Sequence, residues 1–132
     1  MSHFTKVKAK IKDLVALKKA LDDLGYTYTE SEGGEAVVKG YQGDKTTAQL
    51  SIHASRTYDI GVQVTDEGVD LVADWWGVET TRGVTEDEFV KALQQRYSYH
   101  KVMMELDKRG YSVVSEETQE DNQIRIKVRS WE

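Results

Sequence analysis

Apolar and polar residues alternate at the start of the chain, with Val7, Ala9 and Ile11 on one parity and Lys6, Lys8 and Lys10 on the other. That two-residue period predicts a half-buried strand over residues 3–11. The period then changes: Leu14, Leu17, Leu21 and Leu24 recur at helical spacing after Asp13, and Gly25 stands where a helix end favours a left-handed residue. Beyond this first helix, five segments read as strands: Tyr26–Thr29, Glu35–Tyr41, Thr47–Ser55, Tyr58–Thr65 and Val69–Val78. The turn-forming stretches SEGGE, GDK and DEGV separate them, which predicts an antiparallel meander. Thr85 opens a second helix, with Glu88 three residues on as a capping box and acidic residues at the positive end of the helix dipole. Its stripe of Phe89, Leu93, Tyr97, His100, Met103, Met104 and Leu106 ends at Gly110. A last strand, QIRIKVRSW, alternates Ile124, Ile126 and Val128 with Arg125, Lys127 and Arg129.

Two main helices among about six to seven strands predict an α+β fold, a mostly antiparallel sheet with both helices packed on one face and the other face polar. The stretches LDDLGYTYTE and LDKRGYSVVSE both join a helix end to Gly-Tyr and a strand, which we read as two uses of one helix-ending device. With 132 residues, no proline linker and no low-complexity tract, residues 1–132 are expected to form a single domain.

Composition narrows the function classes. Eighteen basic against 23 acidic residues leave a net charge of -5, which argues against strong non-specific binding to nucleic acid or anionic lipid. No cysteine is present, so disulfides and thiolate chemistry are excluded. No apolar run approaches the ~20 residues that span a bilayer, and the N-terminus shows no signal-peptide pattern. Nucleotide-binding glycine motifs and nucleophile elbows are missing. Asp70 and Asp74 lie four residues apart on a predicted strand, which separates their carboxylates by more than ~10 Å, too far for a glycosidase pair. No enzyme activity and no cofactor is expected.

The chain has three tryptophans, two of them adjacent in ADWWGVE. On a strand over Val69–Val78, parity sends Val69, Leu71, Ala73 and Trp75 to the core and Asp70, Val72, Asp74 and Trp76 to the polar face. Trp76 is then covered by a loop, by Trp131 or by basic stems, or it is an interface anchor. The same face would gather Lys6, Lys8, Lys10, Lys39, Arg125, Lys127 and Arg129 with Phe4, Tyr41 and Trp131. Such basic and aromatic interleaving is used to stack single-stranded nucleic acid, although Asp70, Asp74 and the net charge oppose that use. The candidate binding surface is Trp76, Asp74, Trp131, Arg125 and Arg129. A second candidate is a polar niche of His3, Arg96, Tyr97 and His100. The three histidines lack metal-motif spacing, so no metal site is predicted, and a hydrogen-bonded niche is the expected use of His100.

Four blocks, MSHFTKVKAKIKDLVALKKALDDLGY, ADWWGVE, EFVKALQQRYSYHKV and IRIKVRSW, resemble in the same order the cyanobacterial and algal-plastid family of small conserved open reading frames grouped as a domain of unknown function. The resemblance implies a soluble protein of the cyanobacterial cytoplasm or plastid stroma, or of a phage or other bacterium carrying a homologue. It implies no reaction and no cofactor. It directs attention to His3, Phe4, Asp74, Trp75, Trp76, Gly77, Arg96, Tyr97, Tyr99 and His100. The expected function is a non-catalytic protein-binding or assembly factor whose partner is a protein. The alternatives are a small-ligand or metal module built on the niche, and a single-stranded nucleic-acid binder.

Overall fold

The computed structural model describes residues 3–120 and 123–130. The alternating start forms β1 (Thr5–Ala9), and Asp13 then caps α1 (Leu14–Asp23) by accepting hydrogen bonds from the amides of Val15 and Ala16. The next strands are β2 (Tyr28–Glu30), β3 (Ala36–Lys39), β4 (Lys45–Ala48), β5 (Leu50–His53), β6 (Asp59–Thr65) and β7 (Gly68–Ala73). They are followed by α2 (Trp75–Arg82), α3 (Glu86–Lys108) and a hairpin of β8 (Tyr111–Thr118) and β9 (Ile124–Ser130). Every described strand pair is antiparallel, and the α+β class expected from the pattern is the one observed.

The strands divide among three sheets rather than one. The main sheet has five strands in the order β1-β7-β6-β5-β2, while β3-β4 and β8-β9 are separate ribbons. β5, β6 and β7 form the predicted meander; α1 carries the chain from one sheet edge to the other. The inward rows are Ala9, Val69, Leu71, Val62, Leu50, Ile52 and Ile60, which pack on Ala16, Leu17, Ala20 and Leu21 of α1 and on Phe89, Leu93 and Tyr97 of α3. The capping box at Thr85 and Glu88 is formed as predicted.

The expected solvated sheet face is covered in part, at Val72, Gly61, Asp59 and Ser51. The long strand Thr47–Ser55 bends at Gln49, so β4 leaves the main sheet and pairs with β3 instead. This ribbon lays Val38 and Ala48 on Gly61 of β6: a Cβ at Gly61 would lie 2.8 Å from Val38 Cγ2 and 2.8 Å from Val72 Cγ1. Val72, assigned by parity to the polar face, is therefore buried at 3% exposure.

The strand Val69–Val78 also required correction. It ends at Ala73, where Asp74 takes an extended conformation and its carboxylate accepts the Gly77 amide, starting α2. An aspartate at this position satisfies an otherwise orphaned helix donor, and this cap competes with continuation of the strand. Consecutive residues on a helix diverge by roughly 100°, so Trp75 and Trp76 separate for a helical reason and not by strand parity.

Candidate functional site: the aromatic patch at the start of α2

Trp75 turns inward to 9% exposure and stands 5.9 Å, centroid to centroid, from Phe89, while Trp76 is left 55% exposed. Tyr41 meets Trp76 edge-on at 6.3 Å. Tyr41 lies in a tight turn, residues 41–43, in which Gln42 takes a left-handed conformation at φ 49°. The chain on its other side passes Phe4: a Cβ at Gly40 would approach Phe4 Cζ to 2.6 Å. Below Trp76, Gly77 lies against the Tyr58 ring, and a Cβ there would fall 2.0 Å from Tyr58 Cε1. Burial, followed by the nearby charges of Asp74 and Tyr41, pushes the Tyr58 hydroxyl pKa up. Thus β1's approach, the β3–β4 turn, the start of β6 and α2 combine to hold one aromatic cluster.

A groove of about 470 Å³ runs beside it, lined by Tyr41, Tyr58, Lys39, Lys45 and Arg56 among others. Lys39 Nζ is committed to the Arg56 carbonyl at 2.8 Å. Lys45 and Arg56 are exposed and have no ion-pair partner among the described residues. At the helix start, Asp74 Oδ2 and Trp75 Nε1 are buried without a hydrogen-bond partner.

The predicted surface residues are only partly united here. Of the two outcomes left open for Trp76, covered or exposed, the structure shows exposure; Asp74 is 1% exposed and serves as a buried cap, not as part of an open face. Arg125 and Arg129 do not share a sheet with β7, the strand that leads into Trp76, because β9 pairs with β8 and not with β1. Trp131 lies outside the described residues. Tyr41, which parity set on the face of Trp76, and Gly77, to which the family resemblance pointed, are joined by Tyr58, which the sequence did not single out; the fold of the β3–β4 ribbon decides the Tyr41 contact.

The second candidate group is also redistributed. His100 Nε2 and Arg96 Nη2 both reach Asp23 Oδ2, at 2.5 and 2.8 Å. The Arg96 guanidinium stacks 4.3 Å from the Tyr99 ring centroid, and Tyr99 donates to Glu116 at 2.8 Å. Burial raises the Asp23 pKa, but hydrogen bonds from His100 and Arg96 and their charges outweigh it and hold the carboxyl below its usual range. Tyr97 is elsewhere, its hydroxyl accepting the Lys12 and Asp13 amides at 3.1 Å each. His3 is exposed and joins no hydrogen bond of the niche. Among the described residues no three His, Cys, Asp or Glu side chains converge as metal ligands.

Sequence reasoning missed a third polar chain. Thr29 Oγ1 lies 2.9 Å from His53 Nε2, and His53 Nδ1 lies 3.1 Å from Asp59 Oδ1. The order hydroxyl, imidazole, carboxylate is that of a proton relay. Asp59, however, is 1% exposed and its other oxygen accepts the Lys39 amide at 2.9 Å. The chain cross-links β2, β5, β6 and β3, and this structural use accounts for all its members. The Asp59 partner of His53 is set by β5–β6 register, which spacing along the sequence does not reveal.

These features define an α+β fold that exposes an aromatic patch at the start of α2. The chain belongs to the family described as Protein of unknown function (DUF1257), whose model matches residues 20–127. It is similar over 99% of its length to the Uncharacterized protein ycf35 of Guillardia theta, at 33% identity and over 98% of that relative. The Uncharacterized protein ycf35 of Cyanophora paradoxa and that of Pyropia yezoensis are each 30% identical, again over 99% of this chain and 98% of the relative. The family resemblance carried by the four sequence blocks is thereby confirmed. No solved structure matches the chain. Among the described residues no helix is long and apolar enough to cross a membrane.

Proposed function

We propose that this chain is a non-catalytic protein-binding or assembly factor of the cytoplasm or plastid stroma, docking through Trp76 and its neighbour Tyr41. The observation that carries the reading is the 55% exposure of Trp76 beside an edge-on tyrosine. An exposed indole of that extent offers about 120 Å² to a partner, worth about 3 kcal/mol on burial, the size of an interface hot spot. Trp76 is held from below by the Asp74 cap and by Gly77 on Tyr58, so little ordering is needed on binding. Lys45 and Arg56 at the rim favour a partner with acidic residues around an apolar centre.

The nucleic-acid alternative has less support, since it needs the basic residues of β9 and the aromatics on one open sheet, whereas β9 belongs to the β8–β9 ribbon and Trp76 to α2. The ligand alternative loses two of its four residues from the niche. The test is affinity capture from extract of the native host with wild type, Trp76→Ala and, as a control at an exposed residue of the last turn of α3, Lys108→Gln, each quantified by mass spectrometry. We expect a defined set of proteins to be lost with Trp76→Ala alone. Identical recoveries from all three would refute the proposal.

A further inference from the structure

The β8–β9 hairpin ends in an edge that no other described strand pairs with. β8 packs against α3, whereas β9 has β8 as its sole strand neighbour among the described residues. A two-stranded ribbon is marginal by itself, and its outer edge presents unpaired backbone N–H and C=O groups. Beneath that edge runs a groove of about 890 Å³, with Ile124 and Ile126 on one wall and Val90, Tyr99 and Val102 of α3 on the other.

The two faces of β9 differ sharply. Ile124, Ile126 and Val128 are half-buried on one face, and Arg125, Lys127 and Arg129 are exposed on the other. Cross-strand neighbours compensate this charge poorly. Arg125 is opposite Glu117, but Lys127 and Arg129 are opposite Ser115 and Ser112. None of the three has an ion-pair partner among the described residues. The row therefore persists in a chain of net charge -5.

We propose that the free edge of β9 accepts an extended segment of a partner protein in which acidic and apolar residues alternate. Such a strand would satisfy the open backbone groups, direct its apolar side chains into the groove over α3, and set its carboxylates beside Arg125, Lys127 and Arg129. A second copy fits less well. Two β9 strands paired about a two-fold axis would oppose basic row to basic row, which is destabilising. The β8 strand places its adjacent Glu116 and Glu117 on opposite faces and supplies no acidic row. This edge is independent of the Trp76 patch, so either can fail alone.

The probe is a seven-residue peptide, the length of β9, alternating Glu and Val and capped at both ends. Controls are a peptide of the same composition with its Glu and Val in blocks, and a peptide with Lys in place of Glu. Binding is followed by backbone amide exchange on the full chain. We expect the alternating acidic peptide to slow exchange at alternate β9 amides. The triple variant Arg125→Glu, Lys127→Glu, Arg129→Glu should bind it about tenfold or more weakly and should prefer the Lys peptide, as three lost cross-strand pairs imply. Trp76→Ala should bind it as wild type does. The proposal is overturned by any of four outcomes: equal binding of the block peptide, equal binding by the triple variant, no protection at β9, or concentration-dependent dimerisation that protects the same amides without peptide.

Discussion

Gly77→Ala isolates the packing that turns the tryptophan pair outward and inward. Gly77 is in the first turn of α2, where replacement by alanine ordinarily stabilises by up to about 1 kcal/mol. Its backbone needs no glycine for conformational reasons, so the expected gain is opposed by sterics alone. The added Cβ would lie 2.0, 2.3 and 2.4 Å from Cε1, Cζ and Cδ1 of Tyr58, a rigid ring that is 9% exposed. Forcing a methyl into such a contact costs about 1–3 kcal/mol, and a contact this short belongs at the upper end. The net expectation is a loss of about 1–2 kcal/mol, which lowers Tm by about 4–8 °C in a domain of this size. Thermal unfolding by circular dichroism, with urea titration as a check on two-state behaviour, reads this directly. Tyr58→Val removes the clashing ring atoms, and in that background Gly77→Ala should become neutral or mildly stabilising. The resulting coupling of about 1–3 kcal/mol falls in the range of contacting pairs. The reasoning is wrong if Gly77→Ala raises Tm in the wild-type background, or if its penalty survives removal of the Tyr58 ring.

Three further outcomes follow from the same geometry. Trp75→Ala should cost about 3–5 kcal/mol and Trp76→Ala less than about 0.5 kcal/mol in urea unfolding, because only the first empties a core site; similar losses from both would contradict the assigned burial. Asp74→Ala should destabilise by about 1 kcal/mol through loss of the α2 cap, while Asp74→Asn retains the Gly77 bond and most of the stability; a neutral alanine variant would show that the cap contributes nothing. Folding depresses the Asp23 pKa below its unfolded value, so this group stabilises above a pH of about 4 and loses its contribution as pH falls through the lower folded value. Asp13 is shifted in the same direction: burial opposes the shift, but the Ala16 amide and Lys101 prevail. Asp23→Asn should therefore flatten, without abolishing, the fall in urea stability between about pH 5 and pH 2; an unchanged profile would rule out the Asp23 linkage.

The local signals along the chain were sufficient for most elements and insufficient for their assembly. The two-residue period of β1, the leucine spacing and Asp13 cap of α1, and the Thr85–Glu88 box of α3 each depend on residues within a few positions of one another, so they were legible. The residues 69–78 show where local reading fails. Alternation through Val69, Leu71 and Ala73 extends smoothly into the tryptophans, yet the Asp74 carboxylate accepts the Gly77 amide and converts the period from two to 3.6. The division of Trp75 from Trp76 survived this error because adjacent residues diverge on a helix as well as on a strand. The polar face survived only in part: Lys6 and Lys8 stay exposed opposite Val72 and Asp70, but the rest of it assumed that all alternating strands share one sheet. Strand partners are chosen by long-range burial, and here the Gln49 bend folds β3–β4 onto Gly61 while β9 finds β8. Periodicity determined which residues of each segment face together; only the tertiary structure decided which segments face each other, because pairing and packing energies belong to contacts between residues far apart in the chain.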